Sequence, residues 1–495
     1  MSFTALLVLL LPEVLVTAGA LLVLALDLGS LRRESLQTRF NTLAWISTAA
    51  CAAAAFCVVV FGRPIRLESS MLVVDNLGLL MKLAVLALTF LTIWMTAGSS
   101  FTRHVGEYFG ILLLATVGMM FLVSTEHLLM IFVSLELLSL SLYILTAFDK
   151  GDIRSTEAAL KYFLFGGLAA AFTLFGLSLV YGLSGHLSLQ GVAAHLGQGS
   201  TSPLLVVALV MVFVGFGFKV AAAPFHLWAP DTYQGAPLPT AAFVASGSKV
   251  ASFYILAKLV MLGFSGVAGN GGYGAFAAGW IPLVAAVAAL SVILGNLAAL
   301  AQSSVRRLLA YSAVAQAGYI LVGLAGNNSA GMASVLFYSV TYGFTTVGAF
   351  GVVGWVQART GRDDIEAFAG LSRRAPVISF CMMIFLLSLA GIPPLAGFFG
   401  KFYLFTAALE GSHGDLGLVW LVILAVAMSA VSLYYYLKIL KQIYVADAAS
   451  TEEVRPVPPA LPWIIGVTAV TVILFGCLPG LLLDRLLPAV RAAGL

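Results

Sequence analysis

The sequence predicts an all-α integral membrane protein of about 14 transmembrane helices, and three observations carry that expectation. Of 495 residues, 61% are hydrophobic and only 9% are charged, where a water-soluble fold carries about 25% charged residues. The apolar residues gather into runs of roughly 20 or more, the length a helix needs to cross the hydrocarbon of a bilayer. The basic residues, finally, are divided very unevenly between alternate connections.

The first run covers about residues 4 to 28, and the chain begins MSFTALLVLLLPEVLVTAGALLVLAL. Without a basic leader or a small-residue cleavage site, and longer than a signal-peptide core, it is expected to be a retained span. Further runs follow at 41–61, 72–97, 107–124, 126–148, 157–183, 203–226, 239–264, 276–301, 306–326, 329–357, 376–411, 416–444 and 461–482. The seventh ends at Pro224, with Pro230 beyond it. The twelfth is too long for one straight crossing and holds Gly391, Pro393, Pro394 and Gly397 near its middle. Proline removes a backbone donor and clashes with the preceding turn, so both runs are expected to be interrupted helices. GAPLPTAAFVASGSKVASFY at 235–254 echoes GIPPLAGFFGKFY at 391–403, and a chance recurrence of Pro/Gly breaks accounts for the echo equally well. Repeats of five spans, an odd number, would lie inverted relative to each other.

Short cytoplasmic loops are enriched in Lys and Arg. One set of alternate loops contains Arg32, Arg33, Arg39, Arg103, Lys150, Arg154, Arg306, Arg307, Arg359, Arg362, Arg373, Arg374, Lys441 and Arg455. The other set, with both tails, contains only Arg63, Arg66, Arg485 and Arg491. The richer set is assigned to the cytoplasm, which puts both termini on the periplasmic side. The longest polar connection, QARTGRDDIEAFAGLSRRAP at 357–376, reads as a solvated anchoring loop.

Other functions are excluded on composition and spacing. A net charge of +4, scattered along the chain, does not suit a nucleic-acid partner. Cys51, Cys57, Cys381 and Cys477 lie in apolar stretches without metal-ligand spacing, so disulfides, zinc, iron-sulfur and c-type haem ligation are not expected. Gly269 to Gly274 fits GxGxxG, but in a loop without the strand and acidic residue that a dinucleotide site needs. No nucleophile elbow or HExxH is present.

An ionised side chain at mid-bilayer is costly unless paired or hydrated, so each one requires a reason. Glu136 lies about 10 residues into the fifth run, roughly 15 Å deep. Lys161 sits in the sixth run, Lys219 in the seventh, Lys249 in the eighth, and Lys401 just after the break in the twelfth. Burial disfavours the ammonium, so a buried lysine sheds its proton readily, and a nearby glutamate restores it. That is the electrostatic logic of a gated proton relay; a static buried pair is the bland alternative. Broken backbone at membrane depth is tolerated only against protein or a watery cavity. Lys219 and His226 would share a face if the helix continued through Pro224. His226 reads either as a proton-shuttling group or as a packed helix-end histidine. For Lys82, Lys258 and Lys438, snorkelling to an interface is the plainer reading. Glu13 and Asp75 lie near span ends and read as structural, and Glu126 as either.

These residues lie in motifs that resemble a known family. SLELLSLSLYILTAFDK, EAALKYFLFGGLAAAFTLFGLSLVYGLSG, FKVAAAPFHLWAPDTYQGAPLPTAAFVASGSKVASFYILAK, RRLLAYSAVAQAGYILVG and LAGIPPLAGFFGKFYLFTAAL are similar to the antiporter-like membrane subunits of bacterial proton-translocating NADH-quinone oxidoreductase, respiratory complex I, and among them to subunit N. The likeness runs from about 105 to 445. It implies two inverted five-helix repeats, spans four to eight and nine to thirteen, with broken helices seven and twelve. The chain then divides into 1–104 with three helices, repeats at 105–264 and 276–444, and a last helix with its tail at 461–495.

The resemblance implies an inner-membrane subunit that moves protons while NADH oxidation and quinone reduction proceed in other subunits. By motif match, Glu136 corresponds to the family's coupling glutamate and Lys219 to its paired lysine. Lys161 matches a modulating lysine, Lys249 the central lysine, Lys401 the exit-side charge, and His226 a polar position assigned to proton entry. NAD, FMN, iron-sulfur clusters and quinone are expected in other subunits, with no cofactor or metal in this chain. The implied partners are other membrane-arm subunits, including neighbouring antiporter-like ones, and the lipid bilayer. LELLSL around Glu136 and APFHLWAPDTYQG after the seventh run separate subunit N from siblings with WELVG-like and FPFHTWLPDAH-like segments, and no long extension for a lateral helix follows the last run. Gln316 stands where siblings often carry a titratable histidine, so a proton path there would have to use water or the amide. The alternatives are a subunit of a multi-subunit cation/proton antiporter or membrane-bound hydrogenase, or a pure scaffold, which would gain nothing from desolvating these charges.

Overall fold

The computed structural model describes residues 3–62, 64–66, 71–99, 101–196, 202–273, 276–411, 416–447 and 457–495, with side chains from residue 9 onward. Arg63, Gly274 and Arg455, named above, lie outside them. The chain opens with α1 (Phe3–Leu28), α2 (Leu36–Phe61) and α3 (Asn76–Thr96). A short antiparallel pair, β1 (Ile65–Arg66) and β2 (Val73–Val74), joins the last two. There follow α4 (Val105–Leu122), α5 (Leu128–Thr146), α6 (Ile153–Ser184), α7 (Leu189–Leu196), α8 (Pro203–Val220), α9 (Trp228–Gly235), α10 (Leu238–Ala245) and α11 (Gly247–Lys258). The second half comprises α12 (Trp280–Leu300), α13 (Val305–Ala325), α14 (Ser329–Thr360), α15 (Leu371–Arg374), α16 (Pro376–Ala390), α17 (Ala396–Glu410) and α18 (Val419–Tyr444). It closes with α19 (Leu461–Cys477) and α20 (Gly480–Ala492).

Every predicted run is helical, and twelve stretches among the described residues are long and apolar enough to cross a membrane. The expected breaks are present. Helix α8 stops at Val220 because Ala221 turns into the left-handed region (φ 58°), and the chain resumes as α9 only after Pro224. Helix α16 stops at Ala390 before Gly391 (φ 87°), where a glycine has no Cβ to clash, and α17 begins after Pro393 and Pro394.

Two further interruptions were not expected. The eighth run is split at Ser246, whose backbone (φ −118°, ψ −83°) leaves the helix between α10 and α11. No proline marks the place. The Ser246 hydroxyl donates back to the Ala242 carbonyl (2.7 Å) and Gly247 follows, a pairing that weakens helical continuity. A single π-helical turn, Leu259–Gly263, then ends the run. The fourteenth run, read as one helix with a tail, bends by 70° between α19 and α20. Pro479 supplies no N–H and Leu478 before it leaves the helical conformation (φ −130°, ψ 65°), so the tail becomes a helix of its own.

Helices α10, α11, α13 and α14 are almost wholly buried and form the centre, whereas α1, α2, α6 and α18 present apolar side chains outward. On α6, Leu160, Phe163, Leu164 and Leu168 are exposed, the surface expected of a helix against lipid. Glycines permit the closest crossings: a Cβ at Gly295 of α12 would collide with the backbone of Ala315 on α13. Gly397, in the first turn of α17, donates its N–H to Ser388 Oγ (3.1 Å), and a Cβ there would overlap the Ser388 carbonyl oxygen. Gly397→Val is expected to lower the thermal stability of the detergent-purified protein by about 1–3 kcal/mol, the cost of overpacking a fitted contact. An unchanged unfolding temperature would show that the α16–α17 junction is looser than its geometry.

Candidate functional site

Glu136 sits midway along α5, and Lys219 is the penultimate residue of α8. Both line a cavity of about 20 Å³ between α5, α6 and α8, together with Ser139, Tyr143, Thr173 and Gly215. That is room for about one water molecule. The two charges do not form an ion pair. The buried Lys219 ammonium instead donates to Ser139 Oγ (2.9 Å), one turn from Glu136 on the same helix. The backbone freed by the break is satisfied locally: Ala223 N–H donates to Ser291 Oγ (2.8 Å), and the Trp228 indole donates to the Phe218 carbonyl (2.9 Å).

His226 lies inside that break, buried, with its ring 6.2 Å from the Tyr311 ring. Its Nδ1 has no hydrogen-bond partner among the described residues. Because the chain turns at Ala221, Lys219 and His226 do not share a helical face, and the conditional expectation fails for that reason.

Lys249 is the third residue of α11, immediately past the Ser246 break. Its ammonium donates to the Ala313 carbonyl of α13 (2.8 Å) and lies 5.5 Å from the Tyr342 ring centroid. Lys401, in the second turn of α17, donates to the carbonyls of Leu389 (2.9 Å) and Ala390 (3.3 Å) and to Ser429 Oγ (2.9 Å). Leu389 and Ala390 end α16, so the ammonium occupies the negative end of that helix and takes two carbonyls that the break leaves without intrahelical donors. The Tyr319 ring lies 4.5 Å below it.

Between these two lysines stands α13. The Gln316 amide donates to the Leu389 carbonyl (3.0 Å) and the Tyr436 hydroxyl (3.3 Å), and accepts from the Tyr338 hydroxyl (2.5 Å). Gln316 and Lys401 thus share one carbonyl acceptor. The same Tyr436 hydroxyl bonds Ser312, which precedes the residue whose carbonyl binds Lys249. A hydrogen-bonded series from Ser312 through Tyr436, Gln316 and the Leu389 carbonyl thus reaches Lys401 from a point one residue short of the carbonyl that binds Lys249.

Lys161 belongs elsewhere. Its half-exposed ammonium pairs with Glu157 (2.7 Å) and Asp231 (2.8 Å), and Asp231 also pairs with Arg307 (2.7 Å). It lies outside the cavity that Glu136 and Lys219 share. Arg306, counted above among loop cations, is buried and donates to the Tyr233 carbonyl (2.9 Å) and the Ala236 carbonyl, closing the end of α9.

Two lysines read as snorkelling are buried ion pairs instead. Lys82 lies 2.6 Å from Glu13, each side chain 2% exposed. Lys258, fully buried, contacts Asp75 (2.9 Å), Glu126 (3.0 Å) and the Tyr254 hydroxyl (3.2 Å). Lys438 is exposed, as a snorkelling residue would be. Lys219, Lys249 and Lys401 differ from Lys82 and Lys258 in one respect: among the described residues, only neutral acceptors contact them.

Comparison with known proteins identifies the family. Residues 125–431 match the family described as NADH:quinone oxidoreductase/Mrp antiporter, TM. NADH-quinone oxidoreductase subunit N 2 of Acidobacterium capsulatum is 48% identical over 97% of this chain and 98% of its own length. A chain of respiratory complex I from Thermus thermophilus superposes with a TM-score of 0.78 and 33% identity, covering 96% of this chain and 99% of that one. A chain of the Mrp complex from Dietzia sp. superposes with a TM-score of 0.81 over 97% of this chain and 96% of its own, at 21% identity, a likeness of fold alone. The buried charges, the broken helices and these likenesses place one conclusion beyond the fold: the chain belongs to the NADH:quinone oxidoreductase/Mrp antiporter transmembrane family and, within it, to the subunit N branch of the NADH-quinone oxidoreductases.

Proposed function

We propose that this chain is an antiporter-like membrane-arm subunit of a proton-translocating NADH-quinone oxidoreductase, and that Glu136, Lys219, Lys249 and Lys401 carry its protons. The observation that supports the reading is the coincidence of each lysine with a helix break. Lys219 precedes the end of α8, Lys249 follows the split at Ser246, and Lys401 follows the α16–α17 junction. Each ammonium rests on neutral oxygens, so a proton can leave without breaking a direct ion pair. Lysine suits the task because burial lets it exist as the neutral amine near ambient pH.

Within this reading Glu136 modulates Lys219 across their shared cavity, His226 serves proton entry, and Lys161 adjusts the field from the helix ends. Residues 105–264 and 276–444 form two inverted repeats flanked by the helices of 1–104 and by 461–495. The basic loops face the cytoplasm of a bacterial inner membrane, with both termini periplasmic. NADH oxidation and quinone reduction, with their NAD, FMN, iron-sulfur clusters and quinone, take place in partner subunits.

The test is purification of the intact complex and its reconstitution in vesicles. NADH with a quinone acceptor should drive proton uptake into the lumen, and Lys249→Met should reduce the protons moved per NADH while the complex remains assembled. Cation exchange in the absence of NADH, by a chain that copurifies without NADH- and quinone-binding subunits, would overturn the assignment in favour of an antiporter.

A further inference from the structure

A groove of about 520 Å³ runs between α2, α3 and α20, and none of Glu136, Lys219, Lys249 and Lys401 lines it. One wall begins at Asn76, the first residue of α3, and continues through Leu80 and Leu83, passing from amide to hydrocarbon over about 10 Å of helix. The facing wall belongs to α20. Asp484 and Arg485 come first on α20, and Pro488 and Ala489 follow a turn later. Leu486 and Val490 anchor α20 against the protein, so this wall is a fixed part of the fold.

We propose that the groove binds one zwitterionic phospholipid with a primary-amine headgroup, of the phosphatidylethanolamine class. The amide-to-leucine wall of α3, with the charged pair that α20 brings to the same groove, matches a lipid whose headgroup meets the polar residues and whose acyl chain lies along the leucines. The depth from Asn76 to Leu83 is about two thirds of one leaflet's hydrocarbon, roughly 15 Å. The charges select the headgroup. Asp484 and Arg485 are both exposed, and neither has an ion-pair partner among the described residues. The Arg485 guanidinium offers paired N–H donors to phosphate oxygens. The Asp484 carboxylate beside it accepts from an ammonium. A purely anionic headgroup would meet Asp484 with like charge, and a trimethylated ammonium has no N–H to give it.

The site does not depend on proton translocation, and its test reads lipid rather than pumping. The intact complex is purified in mild detergent, and its retained lipids are identified by native mass spectrometry beside Arg485→Gln, Asp484→Asn and Leu80→Trp variants. Leu80→Trp fills the groove without touching a charge, which keeps the test informative if Arg485→Gln assembles poorly. Arg485→Gln and Leu80→Trp should each lower phosphatidylethanolamine occupancy by about tenfold, the effect of one lost charge-assisted contact or of a blocked chain site. Asp484→Asn should retain lipid and shift its preference toward phosphatidylglycerol. Unchanged phosphatidylethanolamine retention in both Arg485→Gln and Leu80→Trp overturns the proposal, as does cross-linking of a Leu83→Cys variant to another subunit instead of lipid.

Discussion

Lys219→Arg is expected to abolish NADH-driven proton pumping even though it preserves the charge. A guanidinium stays protonated at any pH a protein survives, so it can answer the field of Glu136 but cannot pass on a proton. It is also too wide for its place: the shared cavity holds about one water molecule, and the ammonium is fitted to Ser139 Oγ at 2.9 Å. Lys219→Ala should cost turnover as well, because the remaining polar groups lose their cation. A fall of about tenfold or more in quinone-linked NADH oxidation by the assembled complex corresponds to about 1.4 kcal/mol on the limiting barrier. The pair of variants is decisive together. If Lys219→Arg pumps normally while Lys219→Ala does not, Lys219 serves as a fixed charge and the relay reading fails.

The second large effect concerns Lys401. Lys401→Met keeps the length of the side chain but removes a charged donor to the Leu389 and Ala390 carbonyls and to Ser429. The Leu389 carbonyl keeps the Gln316 amide (3.0 Å) and the Ala390 carbonyl keeps the Ser429 hydroxyl (3.4 Å), so what is lost is the charge-assisted bonding, worth about 1.5–3 kcal/mol, and the variant should lose pumping together with some thermal stability. Ser429→Ala removes one acceptor and leaves the two carbonyl contacts, so it should disturb stability much less. Proton-to-NADH ratios and unfolding temperatures, measured on the same preparations, separate the two losses. A Lys401→Met complex that pumps fully would remove Lys401 from the route, whatever its stability.

Much of this site was legible in the letters of the chain. Glu136, Lys219, Lys249 and Lys401 stand out because an ionisable residue inside an apolar run is conspicuous, and Pro224, Pro393 and Pro394 announce two of the breaks. The split at Ser246 was silent because serine and glycine interrupt a helix only when the surrounding packing favours it. The pairing of Lys161 with Asp231 was equally hidden, since it depends on where the chain resumes as α9 after the break in the seventh run. For Lys82 and Lys258, position in a run gave depth but not direction. A lysine near a membrane surface and a lysine facing a carboxylate across a helix interface have the same sequence signature. Only the contacts to Glu13, Asp75 and Glu126 tell them apart.

The cluster around Lys258 bears on how this chain can be divided. The family match begins at residue 125, leaving the first four helices, α1 to α4, outside it. Yet Asp75, which caps α3 through the Gly78 N–H (2.6 Å), is also a counter-charge for Lys258, deep in the matched segment. A boundary drawn from similarity therefore cuts through an ion cluster. The leading helices and the segment behind them form one electrostatic unit, and a lineage that shed the former would leave Lys258 with Glu126 as its remaining counter-charge.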